Sequence, residues 1–307
     1  MSHHKKIDEV TGVETTGHVW DGDICELNKP LPKWWLYTFY ACILWSIGYW
    51  IVYPAWPTIN GYTKGVLNYS QRDQVQHDIE AWKSGHAKYR RQIAEMPLAD
   101  IRKNDELFQF SIAGGAALFG ENCAACHGRG AQGGIGYPNL NDDDWLWGGD
   151  LEKIHETIAF GVRNGNPKAH DTAMPHFGTD KILDEAQISD AANFVRTLSH
   201  LDVDEAAAKR GAQIFADNCA ACHGEQGKGN QDMGAPNLAD AIWLYGNSQK
   251  AVMQSIRTGR GGMMPAWSER LDPVAVKMLT LFVYSLGGGQ AEAASASASA
   301  AAADKPK

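Results

Sequence analysis

One pentapeptide, Cys-Ala-Ala-Cys-His, occurs twice in this chain of 307 residues, at 123–127 and at 219–223. The copies lie 96 residues apart within a longer repeat. The nonapeptide GAALFGENC that ends at Cys123 matches GAQIFADNC that ends at Cys219, and Pro-Asn-Leu and Met-Pro recur downstream in both copies. A repeat at fixed period indicates that one structural unit occurs more than once.

Each copy of the repeat also closes with an amphipathic segment, at 184–200 and at 272–286. Apolar residues recur there at the helical period. The sequence therefore predicts an all-α chain with the same small helical domain twice, over 105–200 and 201–289, and with a linker near His200–Asp204.

The repeated pentapeptide is the attachment signature of haem c. Both cysteine sulfurs add to the haem vinyl groups, and the adjacent histidine becomes an axial ligand of the iron. A zinc site is the competing interpretation, but it needs four ligands together, and these pairs belong to separate repeats. The sequence predicts two haem c groups, attached through Cys123, Cys126, Cys219 and Cys222, with His127 and His223 as axial ligands.

A methionine before a proline occurs in each repeat and is the expected sixth iron ligand. Met174 follows the first motif and Met264 follows the second, so each methionine is expected to serve the haem of its own repeat. A thioether raises the reduction potential, and iron with both axial positions filled is suited to electron transfer. His170 and His176 remain alternatives for the first haem, and Met263 for the second.

Further contacts are expected from the chemistry of haem, which needs a fixed proximal histidine and partners for its propionates. A proximal histidine needs its second ring nitrogen held, and the carbonyls of Pro138 and Pro236 are the candidates. Haem propionates need hydrogen-bond or charge partners. The candidates for that role are Trp145, Trp243, Arg163, Arg257 and Arg260.

Residues 34–54 predict a single transmembrane helix. No charge occurs from Trp34 to Tyr53, and 20 helical residues span about 30 Å, the thickness of the bilayer core. Aromatic residues crowd both ends, as is typical of the membrane interface. The run has no polar face and no cleavage site after it, which argues against a core helix or a signal peptide.

The region 55–104 is predicted to be a linker with one amphipathic helix over 70–96. Its apolar stripe, from Val75 to Met96, can pack on the chain's own globular part or on a partner subunit. The alanine- and serine-rich segment 290–307 has too little apolar bulk for a core and is predicted to be a disordered tail.

The formal net charge of −8 argues against a nucleic-acid binder. Residues 105–200 hold 14 acidic and 6 basic residues, a balance of −8. This excess fits an ordinary solvated surface, and it also fits an acidic docking face for a basic partner.

The segment 21–35, with the sequence DGDICELNKPLPKWW, precedes the predicted span. Together with the span and the paired haem motifs, it resembles the CcoP or FixP family, the dihaem subunit III of cbb3-type cytochrome c oxidases. The resemblance covers roughly residues 18–289. It implies two tandem class I cytochrome c domains behind one transmembrane helix, although some relatives have an additional membrane helix.

The resemblance also implies a place in a complex that reduces oxygen to water and pumps protons. Oxygen chemistry belongs there to a haem-copper catalytic subunit, and a monohaem c subunit completes the core. This chain would pass on electrons from a soluble cytochrome c without being catalytic itself. Haem c is attached outside the bacterial cytoplasm, which implies periplasmic haem domains, an inner-membrane span, and a cytoplasmic N-terminal segment over 1–33.

Two other functions compete with an oxidase subunit. A dihaem enzyme such as a peroxidase would keep one iron open, so it should lack or displace Met174 or Met264. A cytochrome subunit of a membrane dehydrogenase would share every motif but would not copurify with haem b and copper.

Overall fold

A computed structural model describes residues 6–290 of the chain. The predicted tail lies outside the described residues from position 291 onward. The helices are α1 (Lys33–Val52), α2 (Gln71–Glu95), α3 (Leu98–Lys103), α4 (Asp105–Asn122), α5 (Ala124–His127), α6 (Leu151–Phe160), α7 (Glu185–Leu198), α8 (Glu205–Asn218), α9 (Ala220–His223), α10 (Gln249–Thr258) and α11 (Pro273–Ser285). The chain forms two compact units, up to Gly85 and from His86.

The first unit adds two small antiparallel hairpins to the predicted helix. Strand β1 (Thr15–Trp20) pairs with β2 (Ile24–Leu27), and β3 (Pro57–Thr58) pairs with β4 (Gly61–Tyr62). The prediction of a purely helical chain was therefore correct for most of the molecule but not for these segments. Hairpins this short depend on turn chemistry rather than on a long alternating pattern.

Helix α1 is the predicted membrane-spanning segment, and it is long and apolar enough to cross a bilayer. None of its residues is buried within the structure, so its apolar side chains face outward on all sides. The helix ends at Val52, two residues before the predicted end, with Tyr53 extended at φ −109° and ψ 164°. Pro54 causes this, because a residue before proline disfavours the helical conformation.

Helix α2 confirms the amphipathic helix predicted over 70–96. At its C-terminal end Ile93 is fully buried, and Tyr89 and Met96 pack around it. Lys277 of α11 donates to the carbonyls of Ile93, Ala94 and Met96 at 2.7 to 3.0 Å, which satisfies the end of the helix. This half of the predicted stripe therefore packs on the chain's own globular part.

One group of helices in the second unit combines the start of the first repeat with the end of the second. Helix α11 packs across α4 and also contacts α6. The backbones of α4 and α11 approach closely at Gly115, where an added Cβ would overlap the carbonyl of Met278. Beside this crossing, the rings of Phe119 and Phe282 lie 5.3 Å apart.

The other group consists of four helices that are consecutive in the chain, α7 to α10. Helices α7 and α8 are joined by only six residues and pack on each other, while α10 contacts α7. Gly211 allows the close crossing against Asp190, whose carboxylate also accepts two hydrogen bonds from Arg210, at 2.6 and 2.7 Å. Phe194 and Phe215 pack beside it at 5.1 Å.

The two helix groups do not follow the predicted boundaries of 105–200 and 201–289. Those ranges describe the sequence repeats, but the closing helix of each repeat packs on the opening helix of the other. The chain leaves the first group after α6 and returns to it after α10. At this crossing Val162 and Met264 exchange two backbone hydrogen bonds, of 3.0 and 2.9 Å.

Candidate functional site

The two histidines of the repeated motif sit at the ends of the short helices α5 and α9. His127 Nδ1 donates to the carbonyl oxygen of Pro138, and His223 Nδ1 donates to that of Pro236, each at 3.0 Å. Nε2 is thereby left as the nitrogen that can bind a metal. Burial lowers the pKa of both histidines, although the proline hydrogen bonds oppose the shift, and a neutral imidazole is the form that coordinates metal.

The motif cysteines do not have the properties of reactive thiolates. Burial raises the pKa of Cys123 and of Cys219 to about 11, with a smaller contribution from the second cysteine of each pair. Reactive cysteines usually have a lowered pKa. Among residues 6–290, no three His, Cys, Asp or Glu side chains converge as a metal-binding group. This lack of a convergent donor set counts against the zinc interpretation.

Each motif opens onto its own apolar cavity. The first cavity, of about 210 Å³, is lined by Cys123, Cys126 and His127. The second cavity, of about 660 Å³, is lined by Cys219, Cys222 and His223. Both contain the predicted proline carbonyl and tryptophan of the same repeat: Pro138 and Trp145 in the first, Pro236 and Trp243 in the second.

The methionines line the cavities in the opposite order to the prediction. Met264 of the second repeat lines the first cavity with His127, and Met174 of the first repeat lines the second cavity with His223. The expectation that each methionine serves the motif of its own repeat was therefore wrong. Met174 lies in the loop before α7, and Met264 lies in the loop before α11. Because α7 packs on α8 and α11 packs on α4, each methionine lies beside the motif of the other repeat.

The alternative ligands are placed less favourably. His170 is absent from the lining of both cavities, because its ring stacks on Trp147 at 4.2 Å and its Nε2 contacts Thr157 Oγ1 at 3.1 Å. His176 also lines neither cavity. Met263 reaches the first cavity but is 70% exposed, whereas Met264 packs against the buried core of that group.

The two cavity tryptophans differ in their hydrogen bonding. Trp145 Nε1 donates to the carbonyl of Gly288 at 2.6 Å. Within residues 6–290, the buried Trp243 Nε1 has no hydrogen-bond partner. A buried donor without an acceptor is costly, so the second cavity is suited to a ligand that brings an acceptor such as a carboxylate. Trp243 therefore keeps a donor for a propionate, whereas the donor of Trp145 is already used, and the propionate contacts of both indoles stay a prediction.

The predicted arginines also divide into different roles. Arg257 pairs with both carboxylate oxygens of Glu185 and lines neither cavity. Arg260 lines the second cavity and lies over the ring of Tyr245, at 5.1 Å. Arg163 lines both cavities, and it donates to the carbonyls of Gly262 at 2.8 Å and Thr172 at 2.7 Å.

Arg163 belongs to a wall that the two cavities share. Tyr137, Leu146 and Leu244 line both cavities as well. Sequence reasoning missed these apolar residues, because nothing in a local pattern indicates which residues will lie between two sites brought together by chain crossing.

An acidic residue, Asp144, also belongs to the shared wall. Burial is the largest cause that raises its pKa, and together with the negative charges of Asp240, Asp142 and Asp143 it brings the pKa to about 6. A carboxyl whose pKa is raised by folding stabilises the fold while it is protonated. That contribution is complete below about pH 4, the ordinary pKa, and is lost as the pH rises through about 6.

We therefore expect Asp144→Asn to raise the thermal midpoint at pH 7 and to leave it almost unchanged at pH 4. The expected rise is about 2–4 °C, which corresponds to about 1 kcal/mol after solvent screening is taken into account. Thermal unfolding of the full chain at both pH values measures this. Asp143→Asn, the same change at an exposed neighbour, should give a smaller rise. Equal rises at pH 4 and pH 7 would contradict the assignment.

The residues around both cavities fit haem c. Each cavity is apolar and holds two cysteines, one histidine with its Nδ1 hydrogen-bonded, and one methionine, and the second cavity adds a buried donor without a partner. Thiol, imidazole and thioether groups are the donor set of a covalently attached haem with histidine and methionine ligands.

Comparison with protein-family models gives two matches. Residues 12–60 match the N-terminal domain of cytochrome oxidase-cbb3, FixP. Residues 111–195 and 206–283 match cytochrome c oxidase, cbb3-type, subunit III, once for each repeat. The matched ranges include the pre-membrane segment, helix α1 and both motifs.

Characterised relatives match over nearly the whole chain. The cbb3-type cytochrome c oxidase subunit FixP of Azorhizobium caulinodans is 52% identical over 94% of this chain and 98% of the relative. FixP of Bradyrhizobium sp. is 51% identical over 94% of the chain and 100% of the relative. Subunit CcoP of Cereibacter sphaeroides is 50% identical over 90% of the chain and 95% of the relative. The chain therefore belongs to the FixP/CcoP family of cytochrome c subunits of cbb3-type oxidases.

Proposed function

We propose that this chain is the dihaem electron-entry subunit of a cbb3-type terminal oxidase. It accepts electrons from a soluble cytochrome c and passes them to the haem-copper catalytic subunit, with a monohaem c subunit as a further partner. The observation that carries the proposal is the pair of apolar cavities that share one wall, each with two cysteines, a histidine and a methionine.

The chain's residues would hold the two haems in crossed fashion. Cys123 and Cys126 attach the first, with His127 and Met264 as axial ligands. Cys219 and Cys222 attach the second, with His223 and Met174 as axial ligands. Haem c supplies one-electron redox chemistry when bound. Pro138 and Pro236 fix the histidine rings, and the apolar linings limit the access of water.

A methionine in each cavity favours electron transfer over a dihaem peroxidase. In such an enzyme one iron keeps an open position for its substrate, whereas here both cavities contain a histidine and a methionine. Family membership favours an oxidase over a membrane dehydrogenase as the parent complex.

In this proposal helix α1 anchors the subunit in the bacterial inner membrane as a single span. Residues 1–33 lie in the cytoplasm, and the linker 55–104 and both haem-binding repeats lie in the periplasm, where haem c is attached. The excess of acidic residues in 105–200 would suit a basic soluble cytochrome c.

The proposal can be tested on the purified oxidase complex. We expect a pyridine haemochrome assay to give two haems c for this chain in addition to that of the monohaem subunit. With oxygen reduction blocked, reduced soluble cytochrome c should then reduce both of this chain's haems in rapid mixing. Ready binding of an exogenous ligand by either haem of the native chain would instead favour the enzyme alternative.

Arg163 gives a sharper prediction about the shared wall. We expect Arg163→Asn to lower the midpoint potentials of both haems by roughly 30–60 mV, up to a tenfold change in a one-electron equilibrium. Loss of a nearby positive charge disfavours the extra electron of the reduced state. Asparagine is chosen because Arg163 has a positive φ of +48°, which asparagine tolerates.

The matched control is Arg260→Asn, because Arg260 lines the second cavity alone. Redox titration of the full complex should show that this variant shifts only the second haem. A shift of one haem in Arg163→Asn would show that Arg163 does not serve both sites.

A further inference from the structure

The segment that follows helix α1 folds back against the end of that helix. The backbone N–H groups of Val66 and Leu67 donate to the carbonyls of Ile51 and Val52, at 3.0 and 3.1 Å. The last carbonyls of a helix have no partner within it, and at a bilayer they require one. Residues 66 and 67 therefore lie at the same depth as the last turn of the membrane-spanning helix.

The return depends on a glycine beside the helix end. Gly65 has a φ of +69°, and an added Cβ there would overlap the carbonyl of Val52. Between the helix and this return the chain forms the hairpin of β3 and β4, and a second link closes its base, because Thr63 N donates to Trp56 O at 2.8 Å. We call residues 54–67 the exit loop.

The exit loop exposes bulky apolar side chains instead of burying them. Ile59, at the hairpin tip, is fully exposed, and Val66 is 77% exposed. Trp56, Tyr62 and Leu67 are each more than half exposed. An exposed apolar patch is unfavourable in water and marks a contact with a partner or a membrane.

The charge pattern favours a lipid surface over a protein partner as the occupant. No charged residue occurs from Trp34 to Thr63, so the uncharged stretch continues past the end of α1 through the hairpin. Lys64 is the one charged residue between Lys33 and Arg72. A single lysine next to exposed tryptophan and tyrosine is typical of the bilayer interface, where the ammonium reaches lipid phosphates.

We propose that the exit loop is embedded in the bilayer interface, with Ile59, Trp56 and Val66 in contact with lipid. The loop would hold the end of α1 at a fixed depth, because its backbone hydrogen bonds tie it to the last helical turn. This inference rests on the membrane anchoring of the proposed function, and it adds a lipid-binding segment outside the spanning helix.

Spin-label accessibility tests the proposal in the intact oxidase complex, reconstituted in phosphatidylcholine vesicles. A nitroxide is attached at Ile59→Cys, with Cys25→Ser and Cys42→Ser in the background and haem content checked. Leu44→Cys, in the middle of α1, is the bilayer reference, and Gln76→Cys, on the exposed polar side of α2, is the aqueous reference.

We expect the label at position 59 to collide with a water-soluble nickel chelate at least fivefold less often than at position 76, while oxygen still reaches it. A nickel collision rate within twofold of that at position 76 would place the loop in water and overturn the proposal. Exclusion of both oxygen and nickel, with an immobilised label, would assign the surface to a neighbouring subunit and also overturn it.

Two further measurements keep the outcome clear. A label at Thr58→Cys, the neighbouring hairpin position, repeats the test if the first variant fails to assemble. If the label at position 44 is itself open to nickel, the membrane anchoring of α1 is wrong, and this failure is distinct from a water-exposed exit loop on an embedded helix.

Discussion

Replacing Met264 with leucine is expected to lower the midpoint potential of the haem attached at Cys123 and Cys126, and not that of the haem in its own repeat. Leucine keeps the apolar volume but removes the thioether that favours ferrous iron. We expect a fall on the order of 100 mV, a modest part of the roughly 0.8 V that axial ligands span.

The measurement is a redox titration in a background that lacks the second attachment site, Cys219→Ser with Cys222→Ser. In this background Met264→Leu should still shift the potential of the remaining haem. Met174→Leu is the matched control and should leave it unchanged. The opposite pattern, a shift with Met174→Leu alone, would restore the pairing within each repeat.

Replacing Gly115 with alanine is expected to destabilise the second unit by about 2 kcal/mol or more. The added methyl group would overlap the carbonyl oxygen of Met278 in α11. Overpacking typically costs about 1–3 kcal/mol, and the upper part of this range applies because a backbone atom cannot rotate away. This cost is larger than the gain of about 1 kcal/mol that usually comes from replacing a glycine within a helix by alanine.

Gly120→Ala is the matched control, because Gly120 lies in the same helix α4 with nothing within 4 Å of an added Cβ. It should be neutral or stabilising by up to about 1 kcal/mol. Denaturant unfolding of the haem-loaded chain, followed through the haem absorption, compares the two variants. Equal stability of the two variants would mean that α4 and α11 do not pack as described.

Sequence alone established the features that depend on local chemistry. The repeated pentapeptide and the resemblance of the segment 21–35 indicated the family, which the comparisons confirm. Periodicity predicted α2, α7 and α11 to within one or two residues, because an amphipathic helix carries its own pattern. The uncharged stretch predicted α1, and Pro54 set its end. The individual haem ligands stay predictions.

Tertiary structure alone decided how the two repeats combine. Similar repeats have similar packing surfaces, so the local pattern fits pairing within a repeat as well as pairing across repeats. The short connection of six residues brings α8 directly onto α7, and α11 must then cover the α4 surface that α7 leaves free. This crossing places Met264 with His127 and Met174 with His223, and brings Arg163 between the cavities. Such pairings depend on packing between distant segments, which no local sequence pattern records.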